Sequence, residues 1–124
     1  MTGAPRMRIL VADGSCTVLT LERMLLEAYF DVFAVRDGAE VVAHAAVHRP
    51  HLIVLDAALP NVNGVAVCRA LRARADLKDI PVIMVTAGDE RPSTTDGVSA
   101  YDDYVRRPLD GLELLTKIRR HLPA

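Results

Sequence analysis

The sequence predicts an α/β fold in which a parallel sheet carries helices on both faces. Three observations point there. Short apolar runs rich in branched residues recur along the chain, and each is too brief for a helix. Segments with apolar residues at helical spacing lie between them. The strand-like and helix-like segments alternate five times, so right-handed crossovers would place helices on both sides of the sheet.

The elements follow in order. Arg8-Ile9-Leu10-Val11-Ala12 reads as a buried strand ending on Asp13 and Gly14. Ser15 is placed to cap a helix by accepting from the free amides of its first turn. That helix carries Leu19, Met24, Leu25, Ala28 and Tyr29 to about residue 29. Asp31 to Val35 is a short strand. Asp37-Gly38 turns into a helix over Ala39 to His48, with Val41, Val42, Ala45 and Ala46 as its apolar side, stopped by Pro50. His51 to Leu55 is apolar throughout, as in a strand buried on both faces at the centre of a parallel sheet. It ends on Asp56, with Pro60, Asn63 and Gly64 as loop residues. A helix follows to about Arg74 with Val65, Val67, Cys68 and Leu71. Ile80 to Val85 is the fourth strand and ends on Thr86. Residues 89–99 should form a fourth helix, but Pro92, Gly97 and four hydroxyl residues make a poor one. Tyr104-Val105 belongs to a short fifth strand, followed by Arg106-Arg107-Pro108. Leu109 to Leu122 closes the chain as a helix with Leu112, Leu115, Ile118 and Leu122 turned inward.

Composition narrows the class. The chain's 124 residues suit one domain, 1–124, with a core of about 7–122. Apolar residues make up 51%, so the chain is globular rather than disordered. Net charge is −1, from 15 basic and 16 acidic residues, which gives no pull towards nucleic acid or an anionic membrane. The Arg69-Arg72-Arg74 run reads as a solvated helix face. No run approaches the roughly 18–20 apolar residues of a membrane span, and the first residues lack a signal-peptide core. Cys16 and Cys68 have no metal-site spacing and both fall in expected helices, so a reduced, cytoplasmic setting is expected. Cys16, near the rim, reads either as a reactive thiol or as a core one. His44, His48, His51 and His121 are scattered, in surface or packing roles.

Asp13, Asp56 and Thr86 end three strands, and in a parallel sheet strand ends share one edge, where such folds bind ligands. Arg107 falls there too. Asp56 alone could simply end a strand or cap the next helix. Two carboxylates, a hydroxyl and a cation on one rim are harder to explain by folding, since clustered carboxylates need a positive partner. Hard cations such as Mg²⁺ suit such oxygen sites and serve phosphoryl chemistry.

The segments RILVADGS, LIVLDAALPNVNG, IPVIMVTA and DDYVRRPL resemble the response-regulator receiver domains of two-component signalling, over roughly residues 7–122. The spacing from Asp56 to Pro60 and Gly64 matches that family's phosphorylation loop. The resemblance implies a flavodoxin-like three-layer fold, its five parallel strands in order 2-1-3-4-5. It makes Asp56 the phosphoacceptor for a histidine kinase or histidine phosphotransfer protein. It assigns Mg²⁺ to Asp13, Asp56 and the backbone carbonyl of Ala58, and the phosphate-facing hydroxyl to Thr86. Tyr104 matches the aromatic switch residue, and the fourth helix, fifth strand and closing helix form the output face. That face would serve an output domain or partner, or a homodimer. Such a protein is not an enzyme in its own right, though it assists its own phosphorylation and dephosphorylation, and it touches neither nucleic acid nor membrane directly. A labile fourth helix could order on phosphorylation or binding; a merely shortened helix is the other reading.

Two positions depart from the family. Gly14 stands where a second acid normally follows Asp13, which implies weak Mg²⁺ binding. Arg107 stands where the family has lysine, and guanidinium is bulkier, planar and always charged. Arg107 could fork onto Asp56 or Asp13 and partly replace the metal at rest, or point to solvent. Ala58 and Gly88 offer no side chain to a hydrolytic water, so a phosphoryl group should decay slowly, while small Ala87 leaves access open. The alternative is a degenerate receiver acting as a phosphorylation-independent interaction module. A metabolic enzyme is disfavoured, because no further acid–base pair and no glycine-rich phosphate loop is present.

Overall fold

The computed structural model describes residues 6–87 and 100–123. The expected fourth helix at 89–99, and Gly88, lie outside the described residues. Five strands form one sheet: β1 (Arg8–Ala12), β2 (Asp31–Val35), β3 (Leu52–Asp56), β4 (Val82–Thr86) and β5 (Asp103–Arg106). Every neighbouring pair is parallel and the order is β2-β1-β3-β4-β5, the flavodoxin-like order expected from the resemblance. The described helices are α1 (Cys16–Leu26), α2 (Gly38–His48), α3 (Gly64–Arg72) and the closing helix, α4 (Gly111–His121).

Strand alternation splits the core into two layers, because successive side chains point to opposite faces. Leu10, Ile53, Leu55 and Met84 pack with Val41 and Ala45 of α2 and Val67 and Leu71 of α3. Ile9, Val11, Val54 and Val85 pack with Leu19 and Leu26 of α1 and Leu114 and Ile118 of α4. β3 and β4 are buried at every position, as their unbroken apolar runs require.

The helix starts are fixed by polar side chains. Ser15, Asp37, Asn63 and Asp110 each accept from a first-turn amide of α1, α2, α3 and α4. Asn63 is therefore the cap of α3, and Asp56 is not. At Gly64 an added Cβ would lie 2.5 Å from the Asp56 carbonyl oxygen, so only glycine lets α3 begin this close to the end of β3.

Several expectations are corrected by the packing. In α4 the buried residues are Leu114 and Ile118, with Leu115 and Leu122 half-buried, while Leu112 is 75% exposed. With α4 starting at Gly111, Leu112 sits about 200° around the helix from Leu114 and so faces outward. α1 ends at Leu26, its inward positions are Leu19, Glu22 and Leu26, and Met24, Ala28 and Tyr29 are exposed. Cys16 is exposed at the start of α1, so it is not a core thiol; Cys68 is buried. Arg72 belongs to no solvated face: it donates to the carbonyls of Lys78, Ile80 and Ala100 and pairs with Asp102 at 2.8 Å.

Candidate functional site

The sheet's carboxyl edge is continued beyond the strands by the ladder itself. Asp13 N–H donates to Val35 O, Ala57 N–H to Val85 O and Arg107 N–H to Thr86 O. These bonds carry Asp13, Asp56, Thr86 and Arg107 to neighbouring tips of one rim. All four rim residues expected from the sequence are thus brought together.

Asp13 is 2% exposed, Asp56 7% and Thr86 8%. Two such carboxylates persist in a dry rim only if polar groups hold them. Asp13 Oδ1 accepts from Ser15 N–H at 2.9 Å and its Oδ2 accepts from Arg107 Nη2 at 2.6 Å. The same Nη2 lies 3.4 Å from Asp56 Oδ1, which also accepts from Ala58 N–H at 2.9 Å. Arg107 therefore turns inward and bridges both acids. Burial pulls the guanidinium pKa down, but Asp13 and Asp56 outweigh it and hold the group above its ordinary value. Among the described residues Asp56 Oδ2 accepts no hydrogen bond and is the free oxygen of the cup.

Among the described residues Thr86 Oγ1 makes only a long contact, donating to Ala87 O at 3.4 Å. Tyr104, two strand positions before Arg106, is half-buried edge-to-face against Tyr101. Lys117 Nζ lies 5.5 Å from its ring centroid and donates to its carbonyl.

One residue of the site escaped the sequence reading. Glu22 of α1 is 2% exposed, and its buried Oε1 has no hydrogen-bond partner among the described residues. Burial, then the charge of Asp13, raises its pKa from 4.5 to about 8; Arg107 pulls it back and Asp56 adds to the rise. The signal was the stripe Leu19, Glu22, Leu26, in which an acid takes an inward position.

At Gly14 an added Cβ would meet only the Pro60 ring, 3.1 Å from Cδ, so the backbone there does not demand glycine.

A sheet in this order, with two acids, a hydroxyl and a cation on its carboxyl rim, has a counterpart among known families: residues 9–119 match the response regulator receiver domain. The chain belongs to that family. The receiver is 35% identical over 114 residues to the response regulator PleD of Caulobacter vibrioides, covering 90% of this chain and 25% of PleD. It is 34% identical over 119 residues to the DNA-binding response regulator MtrA of Mycobacterium tuberculosis, covering 94% of this chain and 51% of MtrA. The chain thus spans a quarter to a half of the length of these relatives. Among solved structures, the signal receiver domain of a histidine kinase from Syntrophus aciditrophicus superposes with a TM-score of 0.83 at 30% identity, covering 94% of this chain and 89% of that one. Chemotaxis response regulator CheY4 of Vibrio cholerae reaches a TM-score of 0.85 at 24% identity, covering 94% and 99%. This last likeness is one of fold.

Receivers generally use Mg²⁺ with their acidic residues. Here Asp13 and Asp56 offer the oxygen donors a hard cation takes. Arg107 Nη2 already stands between them, so an added cation would compete with an internal one. Among the described residues no group of three or more His, Cys, Asp or Glu side chains could hold a metal ion. No described helix is long and apolar enough to cross a membrane.

Proposed function

We propose that Asp56 accepts a phosphoryl group from a histidine kinase or histidine phosphotransfer protein. Asp56 Oδ2 attacks phosphorus, the P–N bond of the donor's phosphohistidine breaks, and the departing imidazole nitrogen keeps the electron pair. The product is an acyl phosphate on Asp56. The observation that carries this reading is the division of labour at Asp56: Ala58 N–H fixes Oδ1, Arg107 stands 3.4 Å away, and Oδ2 is left unbonded among the described residues. A carboxylate held by one oxygen and open at the other is an oriented nucleophile.

Arg107 supplies the positive charge that the incoming phosphoryl oxygens need. Asp13, Asp56 and the carbonyl of Ala58 would hold Mg²⁺, which when bound supplies further charge neutralisation. Its affinity is weak, because Gly14 contributes no carboxylate and Arg107 competes. Thr86 offers its hydroxyl to the phosphoryl group, with a long contact to Ala87 O to give up. Tyr104, between the rim and α4, passes the change to the surface of β5 and α4 for an output domain, a partner or a second copy. The protein works in the cytoplasm as a switch that assists its own modification rather than as an enzyme acting on others. Direct contact with nucleic acid is left to any output domain, MtrA being a DNA-binding response regulator.

A degenerate, phosphorylation-independent receiver is the second reading. It is favoured by the Arg107 bridge, which already neutralises part of the cup's charge. Incubation with acetyl phosphate and Mg²⁺ followed by intact mass tests between them. A gain of about 80 Da, one phosphoryl group, in the wild type but not in Asp56→Asn supports the phosphoacceptor. No gain in either leaves the interaction module.

A further inference from the structure

Arg107 lines two spaces at once. One is the cup, where it bridges Asp13 and Asp56. The other is a groove of about 420 Å³ between α1 and α4, walled by Val18, Leu21, Leu25, Leu109 and Leu114. Glu22 lines that same groove, and its Oε1 is the one buried side-chain oxygen or nitrogen without a partner among the described residues. A buried acceptor left unpaired in a native fold calls for an explanation. The guanidinium that lines the same groove has donors to spare among the described residues: Nη2 makes both acid contacts, while Nε and Nη1 have no hydrogen-bond partner there. Guanidinium carries five N–H groups in a rigid fork, so it can serve two carboxyl groups from one position or pass between them.

We propose that Glu22 is a second station for Arg107, a positioning residue that takes the guanidinium when the space between Asp13 and Asp56 is filled. The inference rests on the reading that the cup receives a cation and a phosphoryl group. A cation held by Asp13 would compete with Arg107 Nη2, which lies 2.6 Å from the same carboxylate, and Arg107 would then give up that place. In an apolar groove a displaced guanidinium without a partner would be costly. Glu22 removes that cost, and the orphaned Oε1 gains its donor. The acid missing at position 14 is thus offset from α1, through Arg107 rather than by direct ligation.

The test is a double-mutant cycle on Mg²⁺ binding, by titration calorimetry of the full chain, with wild type, Glu22→Gln, Arg107→Ala and the double variant. Glu22→Gln is expected to weaken Mg²⁺ binding about tenfold with Arg107 present, within the range of coupled sites, and less than twofold with Arg107 absent. Glu22→Met serves in its place if the glutamine variant does not fold. In wild type the Arg107 Nε–H resonance should move on Mg²⁺ addition to a position that Glu22→Gln does not reach. An equal loss with and without Arg107 would make Glu22 a remote charge and overturn the proposal. So would no loss in either background, or no Mg²⁺ binding by any variant. The mass assay above is independent: a chain that shows this coupling but gains no mass retains the two stations and loses the phosphoacceptor reading.

Discussion

Arg107 and Asp13 meet at 2.6 Å across 94 residues of chain, and the bond ties the loop after β5 to the end of β1. Asp13 is almost wholly buried, while the Arg107 side chain is 28% exposed. Removing the cation strands a buried carboxylate, and the cost of breaking such pairs reaches 3–5 kcal/mol when both partners are buried. Arg107 is partly solvated, so Arg107→Ala should cost less, about 2 kcal/mol. The vacated cup should then take an external cation. Millimolar MgCl₂ should raise the melting temperature of Arg107→Ala more than that of wild type. Equal shifts in both would mean that the guanidinium and the metal do not share a place.

Glu22 makes stability depend on pH in an unusual direction. Its folded pKa, about 8, is raised above the ordinary 4.5, mainly by burial. Between these values the folded chain holds a proton that the unfolded chain releases. Stability from this group is full below about pH 4.5 and is lost as pH rises towards 8. At about 1.4 kcal/mol per unit, the loss across that window is on the order of a few kcal/mol. Urea unfolding at pH 5, 6.5 and 8 should show wild type losing stability relative to Glu22→Gln, and the glutamine variant should be the more stable at pH 8. Parallel curves for the two proteins would place this carboxyl in water.

The parts legible in sequence were those written by local rules. Unbroken apolar runs located β3 and β4, and the acids and hydroxyl that ended strands located the rim. What was misread depended on rotation about a helix axis. Leu112 and Leu114 are both leucines two residues apart, and only the start of α4 at Gly111 decides which one faces the core. Glu22 was passed over because an acid reads as a surface residue, though its neighbours at 19 and 26 already set the inward stripe. The direction of Arg107 was open for a different reason. Its spacing gave its place on the rim, but a long flexible side chain settles only when both acids and the cavity around them are known.

Gly64 tests the join between β3 and α3. Its N–H donates to Ala57 O, and a Cβ would meet Asp56 O at 2.5 Å and Ala57 Cα at 2.8 Å, both backbone atoms that cannot rotate away. Gly64→Ala should destabilise the fold by about 2–4 kcal/mol and displace the loop that holds Asp56. Gly14→Ala is the control, since its Cβ meets only a proline ring. Denaturation midpoints should separate the two variants by well over 1 kcal/mol.

Restoring the missing acid tests the electrostatics of the cup. The nearest atoms to a Cβ at position 14 are Pro60 Cδ at 3.1 Å and Cγ at 3.7 Å, so Gly14→Asp requires only a small shift of that ring. A carboxylate about 4 Å from a bound cation contributes about 4 kcal/mol per unit charge at an effective dielectric near 20. Water at that place in the wild type already supplies part of this, and Arg107 must still be displaced. The net gain should therefore be smaller, on the order of 1–3 kcal/mol, or about ten- to a hundredfold in Mg²⁺ affinity. The variant should also weaken the Arg107 bridge, because a third acid competes for one guanidinium. Calorimetric titration of Mg²⁺ into wild type and Gly14→Asp measures the first effect. Identical affinities would show that the glycine is not what limits metal binding and that Arg107 alone sets it.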